Sequence, residues 1–341
     1  MTIASSTLPT RQLGPLAVSA IGLGCMNLNH AYGVPPTTAE ATRLLHRALD
    51  LGVTFFDTAA IYGNGENEKL LGSAIMHRRQ DFVLASKCVL GMAPDGSGKR
   101  ILDGRPETIR RTLDEALARL GTDHIDLYYM HRLDPNVPVE DSVGELSRAV
   151  EAGKIGHIGL SEMSAATIRR AHAVHPIAAI QSEYSPWVRN PEVAVLDACR
   201  ALGIGFVAFS PVGRGFLAGA IKSADYVPGD IRETMPRLVE PQLSHNLKLY
   251  ERFAAVAAAV GCTPAQLAMA WILAQGDNIV PIPGTRSIAH LEDDLGAAAV
   301  SLTPADIAAV DDIFRPGAVQ GARYAAAMQA TVDTELLPEE M

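Results

Sequence analysis

Residues 52–72 read GVTFFDTAAIYGNGENEKLLG, and the reading of this stretch decides the rest. Val53 to Phe56 is a short β-branched and aromatic run, the composition of a buried strand. The run ends on a carboxylate, Asp57. Five residues on, Tyr62 sits in a segment rich in glycine and asparagine, and Glu66 to Glu68 suits the positive end of a following helix. A carboxylate at the end of a buried strand needs a partner, because an unpaired buried charge is expensive. A phenol so close to it is either a packing residue or a proton donor.

Outward from this stretch the same unit recurs. Arg11 to Ala20 reads as a hairpin around Gly14-Pro15, and Ile21 to Gly24 as a first strand. Phe82 to Ser86 is a strand ending on Lys87. Ile125 to Met130 is followed by His131, Ile155 to Leu160 by Ser161-Glu162, and Ala178 to Ile180 by Gln181. Gly205 to Phe209 leads into Ser210-Pro211, and Ile279 to Ile282 into Pro283-Gly284-Thr285-Arg286. Helical apolar spacing separates the strands, for example Ala41, Leu44, Leu45, Ala48 and Leu49, with Thr37 or Thr38 as cap and Gly52 as stop. The segments 91–104 and 212–242 read as irregular loops.

Eight strands, each followed by helix, predict an α/β protein with a parallel sheet closed into a (β/α)8 TIM barrel, preceded by an N-terminal β-hairpin and carrying extra helices. The competing architecture is a doubly wound sheet with a helical domain. Gly22-Leu23-Gly24 lacks the third glycine of a dinucleotide fingerprint, which counts against it. The barrel is expected to span 1–341 as a single domain, with 1–10 and about 315–341 peripheral or partly disordered.

Apolar residues make up 48% of the 341, and the net charge is -9 with no basic tract. Nucleic acid and anionic membrane surfaces are therefore not expected partners. Four separated cysteines without a CxxC fit a reducing compartment. The first residues lack a signal-peptide pattern and no apolar run spans a bilayer, so a cytoplasmic protein is expected. No HExxH or GxSxG occurs and the ten histidines are scattered, so no metal site or nucleophile–base pair is expected.

In a parallel barrel all strand ends share one mouth. Asp57, Lys87, His131, Ser161, Glu162, Gln181, Ser210 and the 283–286 turn would ring it. Each has a bland alternative: the Asp as a turn former, the Lys solvated, the His as satisfied structure. Their convergence at one rim is the signal. Asp57 can pair with Lys87, whose ammonium favours the ionised form of Tyr62 and lowers its pKa from about 10. A phenol so tuned is a general acid, and His131 can donate to the same substrate oxygen. Such a site polarises a carbonyl and protonates the alkoxide formed as hydride arrives from a cofactor.

Gln181 and Ser161-Glu162 suit a nicotinamide carboxamide, and Phe209 can stack on the ring. In Ser210-Pro211-Val212-Gly213-Arg214-Gly215 the glycines allow close approach to a pyrophosphate and Arg214 adds charge. Gly284, Thr285 and Arg286 open a helix after the last strand, an anion site by geometry. Arg286 facing a 2'-phosphate favours NADPH over NADH. Met26, Tyr32 and Trp187 are candidates for the substrate pocket, and equally for packing against their own loops.

Over about residues 10–315 the chain resembles the aldo-keto reductases. The resemblance rests on GVTFFDTAAIYG at 52–63, ASK at 85–87, IDLYYMHR at 125–132, GKIGHIGLSE at 153–162, QSEYSPW at 181–187, FSPVGRGFLAG at 209–219 and VPIPGTR at 280–286. The Ser-Glu pair and RRAHAVHP at 169–176 make it most similar to the branch of perakine reductase and the pyridoxal reductase-like enzymes. The resemblance implies a (β/α)8 barrel, NADPH, and reduction of aldehydes or ketones. It assigns the catalytic tetrad to Asp57, Tyr62, Lys87 and His131, and nicotinamide contacts to Ser161, Glu162, Gln181 and Phe209. Phosphate and adenosine contacts fall on Ser210, Val212, Gly213, Arg214, Gly284, Thr285, Arg286, His290, Asp293 and Asp294. Glu162 and Asp294 stand where the family commonly has Asn, and His290 where it has Arg. Asp294 would thereby lack a donor toward adenine.

A small-molecule carbonyl reductase is the leading expectation. A nucleotide-sensing regulatory subunit, like the potassium-channel β-subunits that resemble this barrel, is the alternative; no extended N-terminal arm for a partner is seen. A metal-free lyase or isomerase would leave the cofactor turns without a purpose. An oligomer is compatible with the sequence.

Overall fold

The computed structural model describes residues 8–29, 31–93 and 95–340. Gly14, at φ +58°, turns the chain between Thr10–Leu13 (β1) and Leu16–Ser19 (β2), which pair antiparallel. A Cβ there would lie 2.4 Å from the carbonyl oxygen of Ala178, so only glycine lets the hairpin sit this close to the sheet. Leu13 and Val18 from the hairpin pack into one cluster with Phe55, Leu127, Tyr129, Val207 and Val280. That cluster is the interior of the barrel, and the hairpin caps its lower end.

Eight strands form the sheet: Leu23–Gly24 (β3), Phe55–Asp57 (β4), Val83–Cys88 (β5), Ile125–Met130 (β8), Ile155–Ser161 (β9), Ile177–Glu183 (β10), Gly205–Phe209 (β11) and Ile279–Ile282 (β12). The order is that of the chain and every neighbouring pair is parallel. Gly22 N donates to Pro281 O and Gly24 N to Pro283 O, each at 3.0 Å, which ties the first strand to the last and closes the barrel.

Helices Thr38–Asp50 (α1), Glu66–Ile75 (α2), Pro106–Leu120 (α3), Val139–Glu151 (α4), Ala165–Val174 (α5), Val195–Leu202 (α6), Gln242–Val260 (α7), Pro264–Leu273 (α8), Ile288–Gly296 (α9) and Pro304–Ile313 (α10) accompany the strands. Thr37, Thr263 and Thr303 begin α1, α8 and α10 with reciprocal capping bonds to the residue three positions on. Apolar residues on the outer side of the strands, such as Phe56, Leu84, Tyr128 and Ile180, pack against these helices in the larger core. No single helix among the described residues is long and apolar enough to cross a membrane.

Three segments differ from the sequence reading. The loop at 91–104 contains an antiparallel hairpin, Leu90–Met92 (β6) with Arg100–Leu102 (β7). Strand β10 runs on to Glu183, three residues past the expected end. Residues 315–340, which carry little periodic signal, run back over the barrel and include a short helix, Ala326–Gln329 (α11). Asp333 N donates to Glu162 O at 3.0 Å, and the Glu335 side chain accepts from Ala165 N at 2.8 Å.

Candidate active site

Side chains alternate across a strand with a period of two. Phe55, Ala85, Tyr129, Ala179 and Val207 face the interior, so Asp57, Lys87, His131, Gln181 and Phe209 follow two residues later on the same side at the mouth. Lys87 is fully buried there. Its ammonium is ion-paired with Asp57 Oδ1 and donates to Thr58 O at 2.8 Å and to Tyr62 Oη at 3.3 Å. Those three bonds use all the donors a lysine has. Tyr62 therefore accepts from Lys87 and keeps its own hydroxyl hydrogen for a further acceptor. The Tyr62 and His131 rings meet edge to face with centroids 5.9 Å apart.

Protonation follows from burial and charge. Burial raises the Tyr62 phenol above the ordinary tyrosine range, and Lys87 offsets that only in part. The expected net lowering by Lys87 is thus corrected: desolvation of the phenolate wins. Burial disfavours the Lys87 ammonium, but Asp57 and Tyr62 overturn it and hold the group charged. Burial, then Arg132 and Lys87, hold His131 well below its ordinary range, so the imidazole is neutral.

A cleft of about 690 Å³ starts at these residues and runs to the N-terminus of α9. Met26, Tyr32, Asp57, Tyr62, His131, Ser161, Gln181 and Phe209 line its reactive end. Ser210, Pro211, Val212, Arg214 and Gly215 line its middle, and Gly284, Thr285, Arg286, His290, Asp293 and Asp294 its far end. A Cβ on Gly284 would lie 2.9 Å from Asn27 Oδ1, so this wall is backbone.

Several expected contacts are placed differently. Gln181 donates to Asp57 Oδ2 at 2.7 Å. Glu162, at φ +54° and fully buried, turns away from the cleft; it accepts from Glu183 N at 2.8 Å, Arg323 at 2.6 Å and Thr334 Oγ1 at 3.0 Å. It is committed to the C-terminal segment and cannot accept from a carboxamide. Arg214 lines the cleft, but its guanidinium is buried on Glu183 at 2.9 Å, Tyr32 Oη at 2.9 Å and Tyr324 Oη at 3.1 Å. Its charge is answered by a carboxylate and is not free for a pyrophosphate. Trp187 lies outside the cleft, stacked flat on Phe216 at 4.2 Å between centroids. Gly213 also lies outside, where a Cβ would meet Trp187 Nε1 at 2.6 Å. Pro283 faces the barrel seam through its carbonyl.

Burial and the neighbouring Asp293 push the Asp294 carboxyl up to about 8. It is protonated at neutral pH and so keeps an O–H donor, the property an asparagine would have supplied. Glu183, Arg323 and Tyr324 were not legible as site residues. Burial alone would raise Glu183, but Arg214 and Arg323 hold its carboxyl below the usual range. Arg132, Arg100 and Asn27 also line the cleft. Arg132 ends the phrase IDLYYMHR and opens the 132–136 loop, one of the loops expected to set the substrate.

A closed parallel barrel with an acid, a lysine, a phenol and a neutral imidazole at its C-terminal mouth, opening on a long cleft, is the arrangement of one family of oxidoreductases. The sequence pattern of the aldo/keto reductase family matches residues 20–315, and the chain belongs to that family. It is 44% identical over 342 residues to the aldo-keto reductase yakc [NADP(+)] of Schizosaccharomyces pombe, covering 98% of this chain and 100% of that protein. It is 43% identical over 308 residues to probable aldo-keto reductase 1 of Glycine max, covering 90% of this chain and 88% of that one. Among solved structures, a glycerol dehydrogenase from Gluconobacter oxydans superposes with a TM-score of 0.81 at 26% identity, covering 98% of this chain and 99% of that one. The holo form of an aldo-keto reductase from Bacillus halodurans gives 0.76 at 26% identity, covering 94% and 99%.

Proposed function

We propose that this enzyme reduces an aldehyde or ketone to the alcohol with NADPH, and that Tyr62 is the general acid. The observation that carries the reading is the hydrogen-bond direction at Tyr62: Lys87 donates to its oxygen, which leaves the phenolic hydrogen for a substrate carbonyl. The neutral His131 beside it has a ring N–H to offer the same oxygen. Two donors on one oxygen stabilise the charge that develops there as the carbonyl is reduced. Asp57 fixes the Lys87 ammonium, and Gln181 fixes Asp57.

The residues of the cleft fit the cofactor. Bound nicotinamide would supply the hydride. Ser161 and Phe209 would hold the ring end, and the backbone of 210–215 and Gly284 the middle. Arg286 and His290 would meet the phosphate beside the N-terminus of α9, where an anion is favoured. With Arg214 neutralised, Arg286 is the main cation for a 2'-phosphate and the basis of a preference for NADPH over NADH. The Ser161-Glu162 pair and residues 169–176 are the reasons for grouping the chain with the perakine reductase and pyridoxal reductase-like branch.

The test follows NADPH consumption with 4-nitrobenzaldehyde in the wild type and in Tyr62→Phe, repeated with NADH. Loss of turnover by roughly 10²- to 10⁴-fold in the variant, with NADPH binding kept, supports the assignment. A wild type that binds NADPH and reduces no carbonyl in a broad panel overturns it and favours a nucleotide sensor.

A further inference from the structure

Arg132 follows His131 where β8 leaves the sheet, and it lines the reactive end of the cleft while only 9% exposed. Its Nη1 donates to His131 O at 2.6 Å and to Ser161 Oγ at 3.3 Å. Nε is buried with no hydrogen-bond partner, and among the described residues Nη2 has none either. No described carboxylate pairs with this guanidinium. Two other arginines of the same cleft differ: Arg214 is answered by Glu183 and Arg232 by Asp230, both buried acids. A buried cation left without counter-charge is costly unless a ligand supplies the charge.

Its surroundings indicate the ligand. Met26, Ile61 and Leu90 pack with Tyr62 in one small apolar cluster that also lines the cleft. Arg100, on the β6–β7 hairpin, is a second cation on that lining. Among the described residues lining the reactive end, the carboxylate is Asp57, which is engaged by Lys87 and Gln181. The reactive end thus combines an apolar wall, two donors for a carbonyl oxygen and an unanswered guanidinium.

We infer that Arg132 determines specificity by binding the carboxylate of the carbonyl substrate, so that the preferred substrates are oxo acids with an apolar or aromatic body. A guanidinium edge matches a planar carboxylate through two parallel hydrogen bonds. The inference rests on the reductase reading above and narrows its substrate class.

The test compares 4-carboxybenzaldehyde with its methyl ester, using NADPH, in the wild type, Arg132→Met and Arg132→Lys. The acid-to-ester ratio of kcat/KM is expected to fall about tenfold or more in Arg132→Met, mainly through KM for the acid, and to lie in between for Arg132→Lys. A ratio unchanged in Arg132→Met, with acid and ester slowed alike, overturns the inference and leaves Arg132 a support for His131 and Ser161. If the wild type reduces neither aldehyde, it is the reductase reading that fails. Calorimetric binding of benzoate against benzamide then decides the anion site: benzoate binding lost in Arg132→Met sustains it, and equal binding by both proteins overturns it.

Discussion

Arg323 donates to Glu162 at 2.6 Å across 161 residues of sequence, and neither side chain is more than 3% exposed. The pair joins the C-terminal segment to the end of β9, directly after Ser161. Thr334 Oγ1 and Glu183 N complete the shell around the carboxylate. One step further, Tyr324 donates to Glu183, which also holds Arg214 in the 210–215 loop. The tail therefore fixes two strand ends and one cleft-lining loop at once.

Removing one partner of such a pair leaves an uncompensated buried charge. Arg323→Met is expected to cost about 3–5 kcal/mol in urea unfolding. Adding Glu162→Gln should recover much of that loss, because the orphaned charge goes with it. A single-variant loss below about 1 kcal/mol would show the pair to be no stronger than an exposed one.

Lys87→Met strands Asp57 and takes away the cation that moderates Tyr62. Turnover of the NADPH reaction is expected to fall by roughly 10²- to 10⁴-fold. In Lys87→Met/Asp57→Asn the buried carboxylate is neutral, so thermal stability should return while turnover does not. Recovery of both in the double variant would mean that Lys87 serves the fold alone.

The pH profile should lack the acid limb of an ordinary histidine. His131 is held well below 6.5 and Tyr62 above 10. The working state, neutral imidazole with protonated phenol, is thus populated throughout the neutral range. With NADPH saturating at every pH, steady-state kcat/KM for the carbonyl is expected to be flat across that range and to decline as Tyr62 ionises, above the ordinary phenol value near 10. A break between about pH 6 and 7 that disappears in His131→Gln would contradict this assignment.

Asp294 has a folded pKa of about 8 against an unfolded value near 3.9. Between those values the folded chain holds a proton that the unfolded chain has lost. Its contribution to stability is complete below about pH 4 and is lost as pH rises through about 8. Asp294→Asn should remove that slope, so unfolding midpoints of variant and wild type diverge as pH is raised from 5 to 9. NADPH affinity should weaken above about pH 8 in the wild type only, because the donor at 294 is then gone. Parallel curves for the two proteins would place the titration elsewhere.

Asp57, Lys87 and His131 were legible because each stands at the end of an apolar run, and strands of common direction bring their last inward residues to one mouth. Glu183 is not legible because the apolar run stops at Ile180 while β10 continues to 183, where the carboxylate neutralises Arg214. The tail was silent for a different reason: Arg323 and Tyr324 find partners 161 and 141 residues away, and no local period records such a pairing. The β6–β7 hairpin has three residues per strand around Gly96 and Gly98, too few for alternation to register. For Tyr62 the sequence revealed the charged neighbour but not the depth of burial, and burial sets the direction of the shift.

The tail contacts also set an order of events in biosynthesis. Glu162 and Glu183 are made long before Arg323 and Tyr324, so the growing chain can assemble strands around two acids whose full partners do not yet exist. An interrupted product ending before Arg323 carries those acids without their tail partners at an incomplete mouth, a state more open to proteases and chaperones than the full chain. Closure by the tail thus joins the last residues made to the strand ends beside Ser161 and to the partner of Arg214.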